Sequence, residues 1–251
     1  MKLTKWYYGW YIVLAASIIS LFTAGFRMSF GPFFIPMLED FNMTRTELSS
    51  IIAVGMLIFG IGMPLAGFLE SRFGPKFVLI LGAFVTLGSI IWTVFSTNAL
   101  NLLLSFGILQ SLGLALTGQV TFTPTLVRWF VRKRGQALLY LSTGSMAGIA
   151  IMNPVSNFLV MTFSWKHAML FFGISLFIII VSAALFVIRV DVPEGADGIK
   201  NEDQSATTTT SSQTEPTSPI SLGLSFKTLP FWQICIGLFA CGFSMNLLGS
   251  H

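Results

Sequence analysis

Gly67-Phe68-Leu69-Glu70-Ser71-Arg72-Phe73-Gly74-Pro75-Lys76 is a short charged interruption in an otherwise apolar chain. Apolar runs flank it on both sides, near 48–69 and 76–96. Each is about 20 residues or more, the length a helix needs to cross ~30 Å of hydrocarbon. Working outward, further runs of spanning length lie near 7–36, 100–127, 136–161 and 167–188, and a seventh begins near Leu229 and ends with the chain at His251. Composition agrees with this reading. Of 251 residues, 54% are hydrophobic and only 10% are charged, whereas soluble domains carry about a quarter charged residues. So few charges cannot cover a water-facing surface, and a bilayer removes the need. The expected fold is an all-α membrane protein: a six-helix transmembrane bundle plus a partial seventh helix.

Lys2 and Lys5 precede an apolar run from Trp6 to Phe26, which invites comparison with a signal peptide. That run exceeds the about 7–15 residues of a signal's apolar region, and further spans follow, so an uncleaved first helix is expected. Composition changes abruptly between Arg189 and Lys227. Asp191, Glu194, Asp197, Glu202, Asp203 and Glu215 lie there, six of the ten acidic residues, with Thr207 to Thr210, Ser211, Ser212, Pro216 and Pro219. Such a stretch cannot bury enough apolar surface to fold and is expected to be a disordered linker. The domain plan is thus a bundle over 1–188, a linker over 189–228 and a truncated seventh helix over 229–251.

Basic residues set the orientation. With the N-terminus in the cytoplasm, Lys2, Lys5, Arg72, Lys76, Arg128, Arg132, Lys133, Arg134, Arg189, Lys200 and Lys227 fall on the cytoplasmic side, and Arg45 and Lys166 fall outside. Trp6, Tyr7, Tyr8, Trp10 and Tyr11, with Trp129 and Trp165 at span ends, are expected to anchor the chain at the interfaces.

Several chemistries find no foothold. No basic tail or compact basic–aromatic patch suggests nucleic acid. Cys235 and Cys241 share one apolar stretch with neither metal-site nor disulfide spacing. The histidines are His167 and His251, and no hydrolytic constellation can be assembled around them. No phosphate-cradling G-x-x-x-x-G-K-[ST] loop occurs. No enzyme activity, metal or cofactor is expected.

The opening stretch resembles the cytoplasmic signature of the major facilitator superfamily. In that signature a glycine opens the motif, an acid follows three residues later, and Arg and Lys flank a tight turn. On that resemblance Gly67 allows close helix approach, and Glu70 pairs with a basic residue or caps a helix of the other half. Arg72, Gly74 and Lys76 complete the gating loop. The family usually has Asp at the Glu70 position and a basic residue where Pro75 stands. Arg128-Trp129-Phe130-Val131-Arg132-Lys133-Arg134-Gly135-Gln136-Ala137 resembles the fifth-helix signature of the monocarboxylate-transporter-like and oxalate/formate-like branch, with Leu139 where its next glycine falls. Arg132, Lys133 and Arg134 then anchor the loop to the cytoplasmic leaflet. Tyr8-Gly9-Trp10 resembles the same branch's first-helix signature, without its acid and extra glycine. The resemblance covers residues 6 to 251.

It implies half of a twelve-helix fold, with the solute between two six-helix halves and transport by alternating access. The implied solute is a small carboxylate, with proton or exchange coupling. The implied partners are the bilayer and a missing C-terminal half or a second copy. The implied location is the plasma or inner membrane. Carriage of another solute, or a non-transporting membrane role, is the competing reading.

Arg27 lies in Gly25-Phe26-Arg27-Met28-Ser29-Phe30-Gly31, inside the first span. A charge at membrane depth is costly and usually faces a cavity or a partner, and a guanidinium fork fits a carboxylate. The first-helix Lys that serves substrate and proton coupling in monocarboxylate transporters falls one position away. The alternative is an Arg near the outer end of a long helix, snorkelling to water. Asn153 and Asn157, one turn apart on the fifth span, and Gln119 with Gln110 on the fourth are further candidates for the cavity wall. Interhelical hydrogen bonding is their commoner use. Gly144 and Gly148, four apart, permit close helix contact, and Pro154 bends the fifth helix.

Overall fold

A computed structural model describes residues 8–130 and 134–186, together with 232, 233, 236, 237 and 240. Arg132, Lys133, the linker expected over 189–228 and most of the expected seventh helix lie outside the described residues. The chain divides into two compact units, Met1–Lys200 and Asn201–His251. In the second, Trp232, Gln233, Ile236, Gly237 and Ala240 are helical.

The described part of the first unit is helical throughout, with short connections and no strand. Its elements are α1 (Tyr8–Met28), α2 (Gly31–Phe41), α3 (Arg45–Phe73), α4 (Pro75–Phe95), α5 (Ala99–Leu102), a π-helical segment (Leu103–Gln110), α6 (Ser111–Leu116), α7 (Gln119–Trp129), α8 (Arg134–Phe163) and α9 (Trp165–Phe186). Among the described residues, six helical stretches are long and apolar enough to cross a membrane, and α5 to α7 together form the fourth. Large apolar side chains such as Leu57, Ile61, Phe84 and Ile178 are exposed on the outside. Exposed apolar patches of that kind are expected of a surface that meets lipid, not water.

Local chemistry explains the boundaries. α3 opens with a capping box: the Thr44 N–H donates to Glu47 Oε2 at 2.8 Å, and the Glu47 N–H donates to Thr44 Oγ1 at 3.3 Å. Two otherwise orphaned donors are thereby satisfied. α3 ends at Gly74, whose φ of +81° and ψ of 163° leave its N–H donating to the Glu70 carbonyl at 2.9 Å. That conformation belongs essentially to glycine alone. Pro75 then starts α4, where a missing N–H costs nothing. Gly74→Ala is expected to cost about 1–3 kcal/mol, read as a lower melting midpoint of the purified protein. An unchanged midpoint would mean that the turn relaxes freely.

The main core joins α1 to α8 and α4 to α9, with the fourth span packed on α3 and α4. The α1–α8 contact is backbone against backbone. A Cβ placed on Gly144 would lie 2.7 Å from the Ser17 carbonyl oxygen, and one on Gly148 would overlap the carbonyl of Leu21. The small residues expected to allow close contact do so, and the helix they meet is α1 of the same half.

Several expectations need correction. The first apolar run is not one helix over 7–36: α1 stops at Met28, and Gly31-Pro32 starts α2 after a turn at Ser29–Phe30. Proline favours a helix start and not a helix interior. The fourth span is also not a uniform helix. It passes through a π-helical segment and breaks at Thr117–Gly118. Trp129 and Trp165 are only 2% and 4% exposed, so they pack inside the bundle and do not reach lipid headgroups. The ends of their helices turn onto neighbours: Phe130, next to Trp129, meets Trp10 at 5.3 Å between ring centroids, and Trp165 meets Phe41 at 6.0 Å. A Cβ on Gly67 would meet Val120 at an ordinary 3.8 Å, so no close approach inside this half requires that glycine.

Candidate functional site

α1 carries Ser20, Thr23 and Arg27 at i, i+3 and i+7, which places them along one face. That face borders an open cavity of about 200 Å³, lined elsewhere by Phe59 and Met63 of α3, Gly118 to Val120 at the break in the fourth span, and Ser145 and Ile149 of α8, with Arg27 and Gln119 both exposed. The Arg27 guanidinium sits 4.1 Å from the centroid of the Phe59 ring, a cation–π distance. Among the described residues no carboxylate lies within ion-pair distance of it, and the ion pair found is Lys166 Nζ–Asp40 Oδ2 at 2.7 Å, at the end of the bundle where α9 begins. Across the cavity the Gln119 side-chain amide donates to Ser145 Oγ. The hydroxyl oxygens of Ser20 and Thr23 are buried and have no hydrogen-bond partner.

The structure therefore brings Arg27 and Gln119 to one cavity and leaves Asn153 and Asn157 out of it. Both asparagines are exposed on α8, and they continue the row Ser145–Ile149 at four-residue spacing. Gln110 is buried in the π-helical segment, away from the cavity, with its Oε1 lacking a partner. At the other candidate region, Glu70 is only 5% exposed, turned into this half. Arg72 is exposed with its guanidinium 5.7 Å from the Phe73 ring centroid, and Arg134 is exposed while Lys76 is partly buried. Gly74 makes the turn described above. Among the described residues no cluster of His, Cys, Asp or Glu could hold a metal.

Ser20, Thr23, Phe59, Gly118 and Ser145 were not singled out from sequence. Two signals were present: a polar stripe at i, i+3, i+7 through an apolar helix, and the triplet Thr117-Gly118-Gln119 in the middle of an apolar span.

Comparison with known proteins supplies the family. Residues 16–251 match the sequence profile of the Major Facilitator Superfamily. Monocarboxylate transporter 13 of Bos taurus is 31% identical over 166 residues, 65% of this chain and 38% of that protein. Monocarboxylate transporter 7 of Homo sapiens is 26% identical over 181 residues, 71% of this chain and 34% of that protein. The uncharacterized MFS-type transporter YcxA of Bacillus subtilis (strain 168) is 22% identical over 252 residues, 96% of this chain and 56% of that protein. The chain thus spans less than two thirds of the length of these relatives. With a profile match over nearly its whole length and six spanning helices in one bundle, this multi-pass membrane protein belongs to the Major Facilitator Superfamily.

Proposed function

We propose that this chain forms one half of a secondary transporter that moves a small monocarboxylate by alternating access. The second half is a C-terminal continuation or a second copy. The observation that carries the reading is Arg27: a cation inside an apolar span, bordering a cavity, resting on an aromatic face and without an acidic partner among the described residues. Such a charge invites an anion. Gln119 and Ser145 add neutral hydrogen-bonding groups on the opposite wall. The names of the vertebrate relatives point to the same solute class.

In this reading the two halves rock about a midplane site, and the cavity wall seen here is covered by the other half. The positive loops hold the N-terminus and the linker in the cytoplasm of a cell bearing the protein in its plasma or inner membrane. Transport is driven by a proton gradient or by exchange.

The test is uptake of radiolabelled acetate and pyruvate into proteoliposomes containing the chain, with its continuation where the gene encodes one. Saturable uptake is expected, competed by other monocarboxylates and not by neutral acetamide. Acceleration by an imposed pH gradient would indicate proton coupling, and acceleration by internal carboxylate would indicate exchange. Uptake of neutral solutes alone would leave the fold standing and remove the carboxylate. Binding without flux of any solute would favour a non-transporting role.

A further inference from the structure

We propose that the N-terminus of α7, across the cavity from α1, and the hydroxyls of Ser20 and Thr23, on the same face of α1 as Arg27, form a second anion anchor beside the guanidinium. The solute's carboxylate then lies between a guanidinium and a helix end at the break in the fourth span. This inference rests on the anion reading above and names the remaining donors of the site.

The break leaves a helix start inside the membrane-spanning region. α7 begins at Gln119, after Gly118 with ψ of 179°, and runs 11 residues. The first N–H groups of any helix have no intrahelical partner. Here no side chain caps them and the first turn holds no acid. The Thr121 N–H reaches the Gly118 carbonyl at 3.3 Å, which leaves the N–H groups of Gln119 and Val120 as the ones a ligand can take. Both residues border the cavity. Unsatisfied backbone at membrane depth is costly, so a start of this kind calls for an acceptor. The end of a helix also carries about half a positive charge. Helix ends of this type face anionic groups at the midplane of transporters built from broken helices.

The second observation is independent of the backbone. Ser20 and Thr23 are 2% and 5% exposed, both border the cavity, and neither hydroxyl oxygen has a partner. Hydroxyls inside apolar helices normally donate back to their own helix. Many in this chain do so, such as Thr86 Oγ1 to the Gly82 carbonyl at 2.8 Å and Thr93 Oγ1 to the Ser89 carbonyl at 2.8 Å, while Ser29 and Ser156, away from the cavity, are also without a partner. Ser20 and Thr23 do not, so each keeps an O–H to give. Side chains on a helix lean toward its N-terminus, which tips Arg27 from its own position toward the Thr23 turn. Arg27, Ser20, Thr23 and the helix start thus border one cavity.

The backbone donor can be tested by side-chain chemistry. Gln119→Ala removes the amide and keeps the N–H. Gln119→Pro removes both, at the first helical position where proline is best tolerated. Binding of radiolabelled acetate to the full chain in lipid nanodiscs is the readout, with melting curves recorded for each variant. Gln119→Pro is expected to bind about tenfold more weakly than Gln119→Ala. Thr23→Val, equal in shape, is expected to bind about fivefold more weakly than the unsubstituted chain. If the Pro and Ala variants bind alike and Thr23→Val matches the unsubstituted chain, while Arg27→Gln loses binding, the second anchor is refuted and the anion reading survives. If the unsubstituted chain binds neither acetate nor pyruvate, both fail. Should Gln119→Pro not fold, Thr23→Val alone decides.

Discussion

Gly148→Leu is expected to eliminate the folded protein. A Cβ there would overlap the Leu21 carbonyl oxygen and lie 2.7 Å from both Leu21 C and Cα. These are backbone atoms of a neighbouring helix, so no rotamer change relieves the clash. One turn earlier, Gly144 is pressed against Ser17 in the same way. Between them Ser17 Oγ donates to the Tyr140 carbonyl at 3.2 Å, a bond that survives only while the helices stay close. Small residues let membrane helices approach in this manner, and packing there replaces the hydrophobic drive that lipid removes. Overpacking in a dense interior costs about 1–3 kcal/mol where side chains can yield. Two apposed backbones cannot yield, so the cost should exceed ~3 kcal/mol, a large part of an ordinary stability of about 5–15 kcal/mol. Fluorescence-detected gel filtration should show loss of the monodisperse peak for Gly148→Leu. Gly88→Ala is the control, since a Cβ on Gly88 meets nothing within 4 Å. A monodisperse Gly148→Leu with an unchanged melting midpoint would show that α1 and α8 do not depend on this contact.

The spans were legible because the signal is coarse. About twenty apolar residues suffice to indicate a crossing, and a run such as 76–96 has no competing explanation. The same coarseness hid the interruptions. Gly31-Pro32 announces a new helix, yet apolar residues on both sides carried the first span straight through it. The π-helical segment Leu103–Gln110 has no signature in residue types, because its cause is a shift in hydrogen-bond register. Arg27 was legible as a lone charge in an apolar run. Gln119 was legible as a polar group, though Asn153 and Asn157 gave the same signal and stand outside the cavity. Polarity alone does not say which way a helix face turns. Ser20 and Thr23 were the hardest to read, since a hydroxyl in such a helix usually satisfies itself on the preceding turn. Only the structure reveals four that have not, Ser20, Thr23, Ser29 and Ser156, of which the first two border the cavity. Trp129 and Trp165 failed for a related reason: a ring at a span end can face headgroups or the next helix, and here the neighbours take them.

Arg27→Gln is expected to reduce acetate binding, and uptake where it is measured, by about 10-fold to 100-fold. Charge-assisted hydrogen bonds contribute about 1.5–3 kcal/mol, and the Arg27 side chain is exposed, so no further desolvation cost is added. Each 1.4 kcal/mol is a factor of ten. Arg27→Lys keeps the charge and loses the planar fork, so an intermediate loss is expected. The protein itself should not suffer. Arg27 has no acidic partner among the described residues, and its guanidinium rests on Phe59. A neutral amide in its place leaves no orphaned counter-charge and relieves the cost of a cation at membrane depth. The melting midpoint of Arg27→Gln should therefore be equal to or above that of the unsubstituted chain, which separates loss of binding from loss of fold. A snorkelling arginine gives the opposite pattern. Lysine, which snorkels as well, would then bind like arginine. Glutamine would leave acetate affinity within twofold and change only how the first helix sits in the bilayer. An unchanged acetate affinity in both variants would remove Arg27 from the solute site. The proposed anion would then have to be held by the helix start at Gln119 without it.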